Sequence, residues 1–406
     1  MLRRVHISDF RSCHDVTIDQ IGPIMALVGR NGAGKTNILR AINWAARNAT
    51  ISDMMHVLEW DGRETPTKVS LDVAIDHTVL RYSIAVMAQM QMLPGARDQL
   101  ALTLNESLEV QAASGTWSKL LERQAGDLHL IGDGKGFKIG ATAPCLPLLL
   151  SLAPTHPIAK HVRPLLSFLG KIRYYPFDEP SEVVERLDSA FIPGDAYAKW
   201  RNQYVNNADP GASVPLRLVF MLLEQQEKAE ELKRLLGRDG LGLLDDIRVH
   251  TLNPDGAKQK DEQAQSQNAI YILWFAPPKP GHGPPTFYRY AQLSTGTRRV
   301  MNILTSMVFD GSSVMLMEQP EDSIHSGLMK KLIDLLRVNA EPTQFFLATH
   351  SCAVFNRLQP SDFRLVTIRN GITNLRSLSA QELRAAADFI DREGSMTEFL
   401  ETVEEA

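Results

Sequence analysis

The chain is 406 residues long, enough for roughly two to three domains and a substantial buried core. Its 43 Lys and Arg against 47 Asp and Glu give a net charge of −4, which excludes a chain that coats nucleic acid through bulk positive charge. Cys13, Cys145 and Cys352 stand far apart in no metal-ligand spacing, and no apolar run reaches the ~20 residues of a membrane span, so the reading is a cytoplasmic protein without disulfides, zinc, signal peptide or membrane contact.

In chain order, residues 2–10 and Val16-Thr17-Ile18 read as strands that would join the apolar run Ile24 to Val28 in one sheet. Next comes Gly29-Arg30-Asn31-Gly32-Ala33-Gly34-Lys35-Thr36, a complete G-x-x-x-x-G-K-T phosphate-binding loop. Its glycines let successive backbone N–H groups turn toward a phosphate, Lys35 reaches the β and γ oxygens of a nucleotide such as ATP, and Thr36 supplies a hydroxyl to Mg²⁺. Ile38, Leu39, Ala41, Ile42 and Ala45 follow at helical spacing, so the triphosphate would meet the positive end of a helix dipole. The nucleotide-binding set is therefore Asn31, Gly32, Ala33, Gly34, Lys35, Thr36 and Asn37.

Thr67 to Val86 alternates apolar and polar in two runs, the pattern of an antiparallel hairpin with one wet face. Leu128 to Ile139 reads as another, turned at Asp133-Gly134. From Pro144 to Leu252 the pattern turns helical, as in Leu216 to Leu236, and suggests an inserted lobe; Asn253 to Asn268 reads as loop, Ile270 to Phe275 as a strand, and the proline-rich Pro277 to Pro285 as a stiff exposed loop. The last third returns to α/β order: a helix after Leu293-Ser294-Thr295-Gly296, a buried strand Ser313 to Met317 ending at Glu318, a helix Leu328 to Leu336, a strand Phe345 to Ala348, and a hairpin turned at Asn370-Gly371. An acidic tail follows Arg376. The domain organisation expected is 1–143 as the first part of a nucleotide-binding head, 144–265 as the helical insertion and 266–406 as the second part of the head.

The order of the later elements narrows the chemistry. Leu293-Ser294-Thr295-Gly296, an apolar strand ending in Glu318-Gln319-Pro320-Glu321, then Asp322-Ser323-Ile324-His325 and Ala348-Thr349-His350-Ser351 together resemble an ABC-type ATPase of the RecF/SMC/OLD group, the long-insert AAA-family ATPases of bacterial DNA repair and phage defence. The resemblance covers residues 1–50 and 290–376. It implies an α/β fold, a P-loop NTPase with an ABC-type head, an antiparallel β layer and an inserted helical lobe.

By the same resemblance, Phe10-Arg11-Ser12 places Arg11 near the phosphates, with an exposed turn arginine as the alternative. Ser294, Thr295 and Gly296 correspond to the signature that contacts the γ-phosphate held by a second subunit, although a helix cap would use the same residues. The implied assembly is a homo-oligomer built from head-to-head dimers that sandwich ATP. Glu318 takes the place of the acid that orients Mg²⁺, Asp322 and Ser323 fall in a segment that crosses between subunits, and His350 would touch the γ-phosphate. At the position of the glutamate that activates water stands Gln319, whose amide can orient water but accepts no proton. Three accounts stand: a substitution that traps ATP, a naturally slow ATPase, or Glu321 or His350 sharing the role.

OLD proteins often append a Toprim nuclease, which needs an Asp-x-Asp; the sequence contains none, so cutting is expected from a separate effector. Sustained heptads for a coiled-coil arm are lacking. The function implied is an ATP-dependent switch or scaffold in phage defence, and the alternative is a RecF-like ATPase that binds DNA in repair.

Overall fold

The structure, a computed structural model, describes residues 1–50, 65–91, 99–132, 134–176, 191–207, 213–252, 269–279, 285–351, 354 and 356–393. The expected loop 253–268, the middle of the proline segment, Asp133 and the acidic tail beyond Glu393 lie outside the described residues. In chain order the strands are β1 (Leu2–Phe10), β2 (Cys13–Ile18), β3 (Ile24–Val28), β4 (Thr67–Ile75), β5 (Thr78–Gln91), β6 (Gln99–Gln111), β7 (Trp117–Gln124), β8 (Asp127–Leu130) and β9 (Gly136–Lys138). They continue as β10 (Ile172–Tyr175), β11 (Ile192–Pro193), β12 (Asp246–Leu252), β13 (Ile270–Ala276), β14 (Val314–Glu318), β15 (Gln344–Thr349), β16 (Phe363–Arg369) and β17 (Ile372–Ser377). The chain divides into two compact units, one of Met1–Tyr175, Ser312–Gln319 and Arg337–Ala406, the other of Pro176–Gly311 and Pro320–Leu336.

The first unit holds two sheets. One has the order β10-β14-β15-β3-β16-β17 and is parallel except for the closing hairpin of β16 and β17. Its strands are apolar almost without interruption; every residue of Ile24–Val28 is buried, as a parallel strand covered on both faces requires. The other sheet, β2-β1-β4-β5-β6-β7-β8-β9, is antiparallel throughout. The helix Lys35–Thr50 lies in a core formed with both sheets, with Ile38, Leu39, Ala41, Ile42, Ala45 and Ala49 fully buried. The helices Cys145–Leu152 and Ala159–Leu169 pack against it.

The expectation that β1 and β2 share a sheet with β3 is corrected. β1 pairs with β2 and β4, while β3 runs between β15 and β16. The alternation of β1 and β2 suits a layer with one wet face, whereas β3 needs cover on both. The two sheets are joined instead by Gln344, whose buried side-chain amide donates to the carbonyls of Leu2 and Gly22, each at 3.0 Å, and accepts from the Leu2 N–H at 2.5 Å.

The antiparallel sheet has a polar network inside its core. Glu106 and Arg123 are an ion pair with fully buried side chains, 2.5 Å apart. Arg123 also donates to the carbonyls of Ala125, Gly140, Ala141 and Ala143, while Glu106 accepts from the Tyr82 hydroxyl at 2.6 Å and the Cys145 N–H at 3.0 Å. Burial, and secondarily the Glu106 carboxylate, hold the Tyr82 phenol and the Cys145 thiol well above their ordinary pKa values, so both stay protonated as donors.

The second unit has the small antiparallel sheet β11-β13-β12 and helices Gly194–Asn207, Val214–Glu224, Gln226–Leu236 and Thr295–Asp310. The pattern Leu216 to Leu236 is two helices rather than one, broken at Gln225, whose backbone (φ −134°, ψ 63°) leaves the helical region. Trp200, Tyr204, Phe220 and Phe309 stack and edge-pack at centroid separations of 5.0 to 6.3 Å.

Candidate functional site

Parallel order sets the site. β14, β15 and β3 are neighbours in register, with Glu318 opposite Ala348 and Thr349 opposite Val28. Their carboxyl ends therefore deliver Glu318-Gln319, His350 and the Gly29–Thr36 loop to one edge of the sheet, the place where open parallel sheets bind ligands. The first unit thus brings together Arg11, the phosphate loop, Glu318, Gln319 and His350. Ser294, Thr295 and Gly296 belong to the second unit.

The loop can only be built with glycine where it is. A Cβ on Gly29 would lie 2.0 Å from the Val366 carbonyl oxygen, and one on Gly34, whose φ is +103°, would lie 2.0 Å from the Thr373 hydroxyl oxygen. The helix begins at Lys35 with no acidic residue in its first turn, leaving its positive end to an anion. The Lys35 ammonium is buried and donates to the carbonyls of Gly29 at 2.6 Å and Arg30 at 3.0 Å, which fixes it against the loop.

Beneath the loop runs a relay absent from the sequence expectations. Arg11 donates to the Asn37 side-chain Oδ1 at 3.3 Å, the Asn37 side-chain amide N–H to the Ser12 hydroxyl at 2.8 Å, Ser12 meets Thr373 at 2.7 Å, and Thr373 donates to the Ala33 backbone carbonyl at 3.0 Å. Bonds that run in one direction reinforce one another, and this run ties Arg11 and Asn37 to the loop. Thr373 sits on β17, 340 residues from Ala33, beyond the reach of any local signal.

Glu318 is the last residue of a strand buried up to that point. Its carboxylate accepts a hydrogen bond from the Tyr174 hydroxyl, and Tyr174 in turn accepts from Arg40 Nε at 3.1 Å. Burial first, and the neighbouring carboxylate second, push the Tyr174 phenol well up from its ordinary value, so it remains a donor. Gln319 takes a left-handed backbone, φ 42°, and its N–H bonds the Ala348 carbonyl at 2.9 Å, continuing the ladder one step past Glu318. His350 is exposed, directly after the buried Thr349, whose hydroxyl accepts from the Ser351 N–H at 3.1 Å. A hydroxyl at Thr36 and a carboxylate at Glu318 are hard oxygen donors of the kind Mg²⁺ takes.

In the second unit Ser294 caps the helix Thr295–Asp310, accepting from the Thr297 N–H at 3.1 Å. The cap reading of this motif is thus realised in its geometry. Gly296 meets the Asp322-Ser323 segment so closely that a Cβ would lie 2.4 Å from the Ser323 carbonyl oxygen, and Arg299 faces Asp322 at 3.8 Å. Ser294 to Gly296 and the Asp322-Ser323 segment are one packed piece. Gly→Ala inside a helix ordinarily stabilises by up to ~1 kcal/mol, but Gly296→Ala is expected to destabilise by about 1–3 kcal/mol because the obstacle is backbone. Thermal melts of the two proteins check the sign. His325 has a structural task, accepting from the Gly327 N–H at 3.2 Å at the start of Ser326–Val338.

A phosphate loop, an acidic strand end and a histidine at one edge of a parallel sheet define a P-loop nucleotide-binding head. An AAA domain model matches residues 4–53, and an AAA domain model whose description names the AbiEii toxin and Type IV TA systems matches residues 200–356. An OLD nuclease of Thermus scotoductus is 51% identical over 43 residues, 11% of this chain and only 8% of that protein's length. Among solved structures, the SMC head domain from Thermotoga maritima aligns with a TM-score of 0.42 at 13% identity, over 93% of this chain and 99% of that one. An Smc head with an extended coiled coil, derived from Pyrococcus furiosus and bound to the C-terminal domain of ScpA, gives 0.43 at 14% identity, over 96% and 99%. The chain thus carries AAA-domain similarity on both segments that supply the phosphate loop, Glu318 and His350, and OLD-nuclease similarity over a short stretch. Among the described residues, no helix is long and apolar enough to cross a membrane.

Proposed function

We propose that this chain binds ATP with Mg²⁺, hydrolyses it slowly, and serves as a nucleotide-dependent switch or scaffold in bacterial phage defence, controlling a separate effector protein. The observation that carries the nucleotide chemistry is the register of β14, β15 and β3, which ends three adjacent strands at Glu318-Gln319, His350 and the glycine cradle. In this reading the cradle amides, Lys35 and the helix N-terminus bind the phosphates, and Thr36 and Glu318 hold Mg²⁺. Bound Mg²⁺ supplies charge neutralisation at the phosphate oxygens. Gln319 orients a water without taking its proton, and His350 stands by the γ-phosphate; Ser294 to Gly296 serve a nucleotide held by a second copy. The γ-phosphate shared between two copies is then the differential contact that favours the assembled state.

Mass in solution with and without Mg-ATP, measured alongside phosphate release, tests the reading. Doubling of mass with ATP and slow release are expected. If neither quantity responds to ATP, the switch reading is wrong. The repair alternative gains if duplex DNA binds only with ATP and the affinity falls steeply with salt; the defence reading gains if an effector that does not bind DNA co-purifies.

A further inference from the structure

The geometry points to Tyr174 as a positioning residue for the metal-binding carboxylate of Glu318, with Arg40 holding Tyr174 in turn, an inference that rests on the proposed Mg-ATP site. Three separate elements converge here. Tyr174 lies on β10 opposite Leu316 of β14, so the period of the strand puts it on the face that Glu318, two residues further on, also occupies. Its hydroxyl donates to Glu318 Oε1 while accepting from Arg40 Nε at 3.1 Å, and the Arg40 guanidinium sits 5.9 Å from the Tyr174 ring centroid. Arg40 follows Thr36 by four residues on the helix Lys35–Thr50, hence on the same face.

The two oxygen donors expected at the metal, Thr36 and Glu318, come from different elements, and the chain Thr36, Arg40, Tyr174, Glu318 spans the distance between them through one helix face and two hydrogen bonds. A carboxylate at a strand end turns freely about its side-chain bonds unless something holds it. The phenol takes one of about four lone-pair sites on the carboxylate and leaves the others for a cation or its waters. Donation from a guanidinium into the phenol oxygen makes its O–H the stronger donor. Tyr174 therefore restricts Glu318 without consuming its capacity, which is what the hydrogen-bond partners of metal ligands do.

The experiment compares wild type, Tyr174→Phe and Arg40→Met by titrating Mg²⁺ against binding of a fluorescent ATP analogue, with the magnetic resonance signal of bound Mn²⁺ as a second readout. Tyr174→Phe is expected to raise the half-saturating Mg²⁺ about tenfold and broaden the Mn²⁺ signal, with analogue affinity in excess EDTA unchanged. Arg40→Met is expected to move both in the same direction by less, and the double variant by less than the product of the two. If wild type itself shows no Mg²⁺-dependent binding, the Mg-ATP site is wrong. If wild type shows it and both variants, folded by circular dichroism, keep wild-type Mg²⁺ dependence, the site stands and the positioning role of Tyr174 is overturned. Equal weakening with and without Mg²⁺ also overturns it, because that is the mark of a packing defect.

Discussion

Gln319→Glu is expected to raise the single-turnover rate of ATP hydrolysis by at least about 100-fold, the low end of what a positioned general base contributes. That corresponds to about 3 kcal/mol of barrier. The substitution exchanges an amide for a carboxylate of the same shape, so it tests chemistry with little change in packing. The backbone supports that interpretation: Gln319 is held by its N–H to the Ala348 carbonyl at 2.9 Å and by a left-handed φ of 42°, neither of which depends on the side-chain terminus. Its side chain therefore leaves the chain from a fixed place, one residue past Glu318 and beside the strand that ends at Thr349, just before His350. ATP-driven assembly, in contrast, is expected to be at least as strong in wild type as in the variant, because a slower hydrolytic step prolongs the assembled state. Quench-flow measurement of the first turnover separates the chemical step from product release. An unchanged rate would remove Gln319 from the water-activating position and move attention to His350 or Glu321.

Much of the head was legible because its signals are local. The phosphate loop, the strand ending at Glu318, the strand ending before His350 and the hairpin at Asn370-Gly371 each declare themselves within a few residues, through apolar runs bounded by turn or charged residues. What was misread or missed depends on long-range pairing. Alternation in β1 shows that one face is wet, but not which sheet the strand joins; Gln344 and β4 decide that, 342 and about 70 residues away. Tyr174 carries no motif, on a strand of four residues, and its partnership with Glu318 spans 144 positions. Arg40 did carry a signal, its i+4 spacing from Thr36, which is informative only once Tyr174 is known to stand opposite. The break at Gln225 has no proline or glycine to mark it, and helix formers on both sides hide it.

Arg123→Ala is expected to destabilise the protein by about 3–5 kcal/mol, the cost of stranding one member of a buried ion pair. For a unit of this size that lowers the midpoint of thermal unfolding by about 10 °C. The argument rests on what stays behind. The Glu106 carboxyl is left fully buried without its ionic partner, and the carbonyls of Ala125, Gly140, Ala141 and Ala143 each lose the hydrogen bond from Arg123. Replacing both charges by apolar residues, Arg123→Met with Glu106→Leu, removes the stranded carboxylate and is expected to recover part of the loss; the recovery is incomplete because Tyr82 and the Cys145 N–H then lack their acceptor. The network fixes residues 140–145 at the entry to the helix Cys145–Leu152, which packs on the helix that starts at Lys35. If it supports only the sheet, saturating Mg-ATP raises the melting midpoint of Arg123→Ala by as much as that of wild type, because ligand stabilisation depends on affinity and concentration alone. A smaller rise in the variant shows that the network also holds the phosphate loop in its binding shape, and that affinity for ATP is set in part from inside the antiparallel sheet.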